Sequence, residues 1–334
     1  MGDMRAELRI SKEQVSAMLL GAATGDAFGV PFEFLSADEV AQYSLEVMRG
    51  ADNSPVASHW GQTIPAGAWS DDTSMAVATM ESVIGAGGEL DATDVMNRFV
   101  AWWERGEYCA IERPFGLGKT VGLALGRFKA GRPASECGGT RVRDNGNGSL
   151  MRIFPIALML SSKTVAPQER WELIGQASRL THAHAISELS CIIYCEFLGF
   201  ILAGSSIEEA YQSAAALPYQ DWRAGDDWQA ALDAHQRILG SNFMGLSASD
   251  LRASGYVVDT LEIVLYSLLH TNTYREAVQA AVRFGYDTDT YAAIAGAAAG
   301  AAYGLKEIPQ DWLSKLKRHE YLEGLAGRFT RTIK

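Results

Sequence analysis

Two acidic hydroxyl clusters stand far apart in the chain, Ser70-Asp71-Asp72-Thr73 and Asp287-Thr288-Asp289-Thr290. Carboxylate and hydroxyl oxygens are hard donors, suited to Mg²⁺, Mn²⁺ or Ca²⁺ rather than zinc, and converging acids repel one another unless a cation lies between them. Two such clusters carry enough oxygen for two ions. Each also sits where a loop becomes a helix, so either one alone reads as an N-cap whose acids complement the helix dipole. It is the pair that points to metal. A third acid, Glu33, follows Pro31 in the run from Gly25 to Glu33, where a helix ends in a stiffened turn. Asp26 in the same run reads as a structural residue bonded to its own turn.

Two Gly-rich lead-ins to apolar segments, Asp144-Asn145-Gly146-Asn147-Gly148-Ser149 and Pro114-Phe115-Gly116-Leu117-Gly118-Lys119-Thr120, present backbone N–H groups suited to an anion. The first lacks a Walker lysine, which excludes a triphosphatase loop. Two in one acidic chain point to a diphosphate. Thr181-His182-Ala183-His184 places two histidines at i and i+2, which do not share a helix face, so His182 reads as a single hydrogen-bond donor and not as half of a zinc site. His59, His235, His270 and His319 show no motif. Cys109, Cys137, Cys191 and Cys195 form no CxxC pair and read as buried thiols. Ser149 lacks the setting of a hydrolase nucleophile.

The elements that must carry these residues are helical. Ser11 and Gln14 form a capping box before the apolar stripe Val15, Met18, Leu19 and Ala22, in a helix expected to end near Gly25. Ser70 caps a second helix whose face runs through Met75, Thr79, Met80 and Val83 to Gly87-Gly88. Further helices are expected at about 94–105, 115–130, 149–161, 167–181, 185–204, 207–216, 226–238, 257–269, 273–283 and 290–304. Residues 219–254, rich in Gly, Asp, Ser and Trp, read as a surface excursion. Gly296, Gly300 and Gly304 recur every fourth residue, a bare face against which another helix packs closely. Strand-like alternation is nearly absent, so the fold is expected to be all-α, one compact domain over residues 1–334 with its core at about 15–305.

The chain has 334 residues, 48% hydrophobic, and a formal net charge of −11 spread along its length. It is long and apolar enough for a large core, and its charge argues against nucleic acid or an anionic membrane as partner. Residues 189–204 and 290–305 fall short of a spanning helix and read as core. Met1 to Lys12 has no basic region ahead of an apolar run, so a cytoplasmic protein without a secretory signal is expected.

Taken in order, GDAFGVPFE (25–33), WSDDTSM (69–75), GNGSLMR (146–152), Thr181-His182, GYVVDTLE (255–262) and GYDTDTYAAIAGAAAGAAYG (285–304) resemble the ADP-ribosylglycohydrolase family across residues 15–305. The resemblance implies an orthogonal all-α bundle with two Mg²⁺ or Mn²⁺ ions in a central cleft, and release of ADP-ribose from a modified side chain. It implies Ser70, Asp71, Asp72, Asp287, Asp289 and Thr290 as metal ligands, with Ser70 where many relatives carry Thr. Glu33 or Asp71 would be the catalytic carboxylate. Gly116, Gly118, Gly146, Asn147, Gly148, Ser149 and Met151 would hold the substrate, His182 would reach ribose or phosphate, and Phe115 or Tyr219 would stack on adenine. The bond at the anomeric carbon would break through an oxocarbenium-like state while the ions orient the ribose hydroxyls and acidify a water.

GNGSLMR looks closer to the arginine-directed bacterial branch than to the serine-directed one, so ADP-ribosylated arginine on proteins is the expected substrate. Serine-linked ADP-ribose, O-acetyl-ADP-ribose and ADP-ribosylated nucleic acid are the alternatives at the same site. A noncatalytic relative, as among lens crystallins, is disfavoured by the intact acids. A dehalogenase-type phosphatase is disfavoured because its Asp motif follows an N-terminal strand, not a C-terminal helix.

Overall fold

Ser11 begins the first helix as its spacing predicts: its Oγ accepts the Gln14 N–H at 3.1 Å, and Gln14 Oε1 accepts the Ser11 N–H at 2.9 Å. The computed structural model describes residues 8–50 and 63–334, so most of the segment read for a secretory signal, and His59, lie outside the described residues. The helices are α1 Lys12–Gly29, α2 Ala37–Val40, α3 Asp71–Gly85, α4 Ala92–Arg105, α5 Lys119–Lys129, α6 Phe154–Ser161, α7 Pro167–Arg179, α8 Ala185–Leu202, α9 Ile207–Ala215, α10 Asp226–Ala234, α11 Gln236–Leu239, α12 Val257–Leu269, α13 Tyr274–Val282, α14 Thr288–Tyr303, α15 Gln310–Leu313 and α16 His319–Thr332. Among the described residues there is no strand, and the fold is an all-α single domain.

The centre is an antiparallel pair, α1 against α14. Position by position, Ala17 faces Gly300, Gly21 faces Gly296, Gly25 faces Ala292 and Gly29 faces Thr288. The backbones touch: a Cβ on Gly25 would lie 2.0 Å from the Ala292 carbonyl oxygen, closer than any side chain permits. The Gly stripe is therefore a packing device on both helices, but Gly304 is not part of it. It ends α14 at φ +87° with open space around it. α13 and α16 cover the pair, and α16, which periodicity did not single out, lies against α1 and α3.

Several expectations are corrected. α1 continues past Gly25 to Gly29, and a 3-10 turn with Pro31 near its start carries it on to Phe32, because Gly25 and Gly29 serve the contact with α14 rather than ending the helix. The lead-in at residues 144–149 does not enter a helix. The chain turns through residues 148–152 and α6 begins only at Phe154, where Pro155 fits the first turn. Residues 219–254 are anchored inward by buried Tyr219, Trp228, Ile238 and Phe243. Residues 12–32 and α8 are long and apolar enough to cross a membrane, α8 having 18 residues, yet they are 100% and 89% buried inside the fold and serve as core helices.

Gly25→Ala is expected to cost about 3 kcal/mol in urea unfolding, whereas Gly126→Ala, in α5 with nothing within 4 Å, should gain up to about 1 kcal/mol. Equal stability of the two variants would contradict the close α1–α14 contact.

Candidate active site

Four acids come from two helix starts. Ser70 N-caps α3, its Oγ accepting the Asp72 N–H at 3.3 Å and donating to Asp72 Oδ2 at 3.1 Å. Asp71 and Asp72 fill the first turn of α3. Asp287 stands at the N-cap position of α14 and Asp289 within its first turn. Because α1 and α14 run antiparallel, Glu33, just past α1, arrives at this same end. One carboxylate oxygen from each of Glu33, Asp287 and Asp289 lies within 4.8 Å of the other two.

Asp26 does not bond its own turn. Its carboxylate accepts the Ser70 N–H at 2.9 Å, the Thr73 N–H at 3.0 Å and the Thr73 hydroxyl at 2.6 Å, so α1 supplies the anion that satisfies the start of α3. This tether fixes where Asp71 and Asp72 point.

The acids are held in a state that calls for positive charge. Burial pushes Asp71 up to about 8, with Asp26 adding to it. Burial and Asp289 push Asp72 well above the carboxylate range, and burial with Asp289 and Asp287 does the same to Glu33. Asp289 is raised by burial and by Asp287, while Asp287 is raised by burial against the Asn147 hydrogen bond. Glu33 Oε2 and Asp72 Oδ1 are buried with no hydrogen-bond partner. Unpartnered buried carboxylate oxygens beside further acids and two hydroxyls are a donor set that fits a hard divalent cation. Thr290 completes the ring, its Oγ1 donating to Asp72 Oδ2 at 3.3 Å.

The acids floor one end of a cleft of about 440 Å³, which also takes in Gly116, Gly118, Gly146, Asn147, Gly148, Met151 and His182. Gly116 has φ +91°, and a Cβ there would meet Asp71 Oδ1 at 2.0 Å, so only glycine lets this loop reach the acids. Gly118 is the N-cap residue of α5, beside exposed Lys119. Asn147 is tied to the acid end: its Nδ2 donates to Asp287 Oδ2 at 2.7 Å and to Thr260 Oγ1 at 3.0 Å. His182 is buried at the far side, driven down to about 3 by burial and by Arg152, and so is neutral at physiological pH. His184 instead N-caps α8.

Four of the expected residues lie off the lining. Ser70 sits behind Asp72. Ser149 is fully buried and its Oγ accepts from Ser178 at 3.0 Å. Phe115 is buried, and Tyr219 packs on Trp171 with ring centroids 5.1 Å apart, its hydroxyl donating to Ala214 O. A helix 3-10 turn in the 219–221 segment points Tyr219 into the core, which rules it out for stacking in the cleft.

The aromatics that do line the cleft are Phe34 and Tyr286, 48% and 52% exposed, each next to a candidate ligand. Both occupy left-handed backbone, φ 67° and 60°, held by reciprocal bonds, Phe34 N–H to Tyr286 O and Tyr286 N–H to Leu35 O, both 2.6 Å. Bulky residues in this conformation store strain of about 1–3 kcal/mol, typical of functional positions. Backbone strain leaves no periodic mark, and sequence reasoning missed both. It also gave no role to Arg152, the last residue of GNGSLMR, which is fully buried behind His182. Two further backbone clips, Asn147 N–H to Gly255 O at 3.1 Å and Ala183 N–H to Gly139 O at 2.8 Å, hold the loops of the far side.

The ADP-ribosylglycohydrolase family profile matches residues 7–334. The chain is 32% identical to the ADP-ribosylarginine hydrolase Tri1 of Serratia proteamaculans, over 95% of this chain and 78% of that one. It is 31% identical to the ADP-ribosyl dinitrogen reductase glycohydrolase of Rhodospirillum rubrum, over 89% of this chain and 88% of that one. A solved ADP-ribosylglycohydrolase-related protein complex superposes with a TM-score of 0.74 at 26% identity, covering 97% of this chain and 99% of the other. With a match along nearly its whole length and relatives above 30% identity, this chain belongs to the ADP-ribosylglycohydrolase family.

Proposed function

We propose that this hydrolase removes ADP-ribose from arginine side chains of proteins and uses two Mg²⁺ or Mn²⁺ ions to do so. The observation that carries the reading is the two-ended cleft: acids with orphaned oxygens at one end, Gly-rich loops and a neutral histidine at the other. Similarity to an ADP-ribosylarginine hydrolase supports the linkage.

Ser70, Asp71, Asp72, Asp287, Asp289 and Thr290 would hold the ions, with Glu33 beside them. When bound, the ions supply Lewis acidity and positive charge to ribose hydroxyls and a water. Glu33 handles the proton, since it carries an unpartnered oxygen and lines the cleft next to Phe34. Asn147 holds Asp287 in place from the opposite loop. The start of α5 and His182 offer donors to the diphosphate. Phe34 and Tyr286 line the cleft beside the acids, where the side chain that carries ADP-ribose would meet them. A planar guanidinium stacks on such rings, while a serine hydroxyl has nothing to stack.

Free ADP-ribose is expected from an arginine-linked model substrate with Mg²⁺ or Mn²⁺, none with EDTA, and little from a serine-linked one. Release from the serine substrate alone would refute the linkage. Glu33→Gln should lower turnover about a hundred- to ten-thousand-fold while leaving the far-ultraviolet circular dichroism unchanged; full activity would remove Glu33 from the chemistry.

Metal and pH should be linked. Asp71 at about 8 and Asp26 at about 6 both lie above the ordinary 3.8, so the folded chain keeps protons that the unfolded chain releases, and stability falls as pH rises from about 4 through 8. A cation needs the same groups ionised, so its stabilisation grows with pH. In thermal melts the metal-free Tm should drop between pH 6 and 8, and excess Mn²⁺ should abolish the drop. An identical slope with and without Mn²⁺ would argue against metal at these acids.

A further inference from the structure

Arg152 is 1% exposed and has no carboxylate at ion-pair distance among the described residues. Its guanidinium lies 4.8 Å over the Phe99 ring, and its Nη2 donates to Ala177 O at 3.1 Å and to Thr181 Oγ1 at 2.8 Å. A buried cation without a counter-ion is expensive to keep. Beyond lining a core, it imposes a direction on its neighbour.

That neighbour, Thr181, is fully buried, and its Oγ1 lies 2.9 Å from His182 Nδ1. A hydroxyl has one proton and two lone pairs, and a guanidinium N–H only donates. Arg152 therefore takes a lone pair and leaves the Thr181 proton one acceptor within reach among the described residues, His182 Nδ1. With a proton already on Nδ1, the hydroxyl proton would be buried without an acceptor. Nδ1 thus carries a lone pair, and on a neutral ring the proton sits on Nε2.

The geometry points to a positioning relay, Arg152 to Thr181 to His182, that fixes His182 as the Nε2–H tautomer and makes it an obligate donor to an anionic oxygen, such as a phosphate oxygen, in the cleft. The backbone holds the ring's direction: His182 N–H donates to Ser178 O at 2.8 Å and Ser178 Oγ donates to His182 O at 2.9 Å. Nε2 faces the Gly-rich loop, where a Cβ on Gly146 or Gly148 would stand 3.6 or 3.5 Å away. Such a histidine offers no lone pair toward the cleft, so it serves neither as a base nor as a metal ligand.

The test uses the full chain with ¹⁵N-labelled histidine, His182 being assigned by His182→Gln. Imidazole nitrogen shifts should report protonated Nε2 and bare Nδ1 in the wild type, a mixed or reversed tautomer in Thr181→Val, and recovery in Thr181→Ser. ADP-ribose, followed by calorimetry, should bind Thr181→Val about tenfold more weakly and Thr181→Ser as the wild type. A wild-type proton on Nδ1, or a Thr181→Val protein that keeps both tautomer and affinity, would overturn the relay. The shifts need neither ligand nor turnover, so they decide the relay even if the arginine-linked substrate proves wrong or Thr181→Val fails to fold.

Discussion

The backbone contact between α1 and α14 is the constraint from which the acid end follows. Helices separated by ordinary side chains lie about 8–10 Å apart, but here Gly21, Gly25, Gly29, Gly296 and Gly300 remove those side chains. Antiparallel pairing at this range delivers the end of one helix to the start of the other, and so Glu33 to Asp289. The Ala-rich composition of α14 follows from the same demand. Larger side chains would bury more apolar area, yet each would push the carboxylates out of register. Larger hydrophobes remain in α1, where Met18, Leu19 and Leu20 are fully buried in the core.

That arrangement works against folding stability, because buried like charges raise one another's pKa and resist ionisation. The fold offsets part of this with partial charges rather than counter-ions. Asp26 lies against the free N–H groups of α3, Asp287 takes an amide from Asn147, and Asp289 accepts the Thr290 N–H at 2.9 Å. Glu33 Oε2 and Asp72 Oδ1 receive none of this relief. The two oxygens left without hydrogen bonds are thus the residual demand that a cation would meet, and the apolar core carries the strain without one.

Much of this was legible in the sequence, for identifiable reasons. Helix starts were readable because Ser11 and Ser70 are caps with local partners, and the spacing of Gly296 and Gly300 declared a close contact without naming its partner. The acid clusters were visible as composition. What failed depended on distant chain. Asp26 looks like a turn residue until α3 is brought to it. Gly25 looks like a helix stop until α14 covers it. The 144–149 segment looks like a helix lead-in, although its turns are held by Gly255 from across the cleft. Tyr219 looked available because its segment is polar, but a buried ring among polar neighbours leaves no periodic trace. Phe34 and Tyr286 were hidden for a third reason, since their exposure is set by left-handed backbone that aromatic residues rarely adopt.

The two ends of the cleft pose opposite electrostatic problems in a chain of net charge −11. A cationic side chain placed freely at the end proposed for the diphosphate would also be drawn to Asp71 or Asp287 and would compete with any metal bound there. A neutral donor avoids that competition, but a neutral histidine can turn either a proton or a lone pair toward a phosphate oxygen, and the second repels it. Burying Arg152 behind Thr181 resolves both difficulties. Burial, with the positive charge of Arg152 beside it, holds His182 neutral, while the guanidinium itself is engaged by Ala177 O and Thr181 Oγ1. The cost of an unpaired buried cation is then the physical condition for a donor whose polarity does not vary in an acidic cleft.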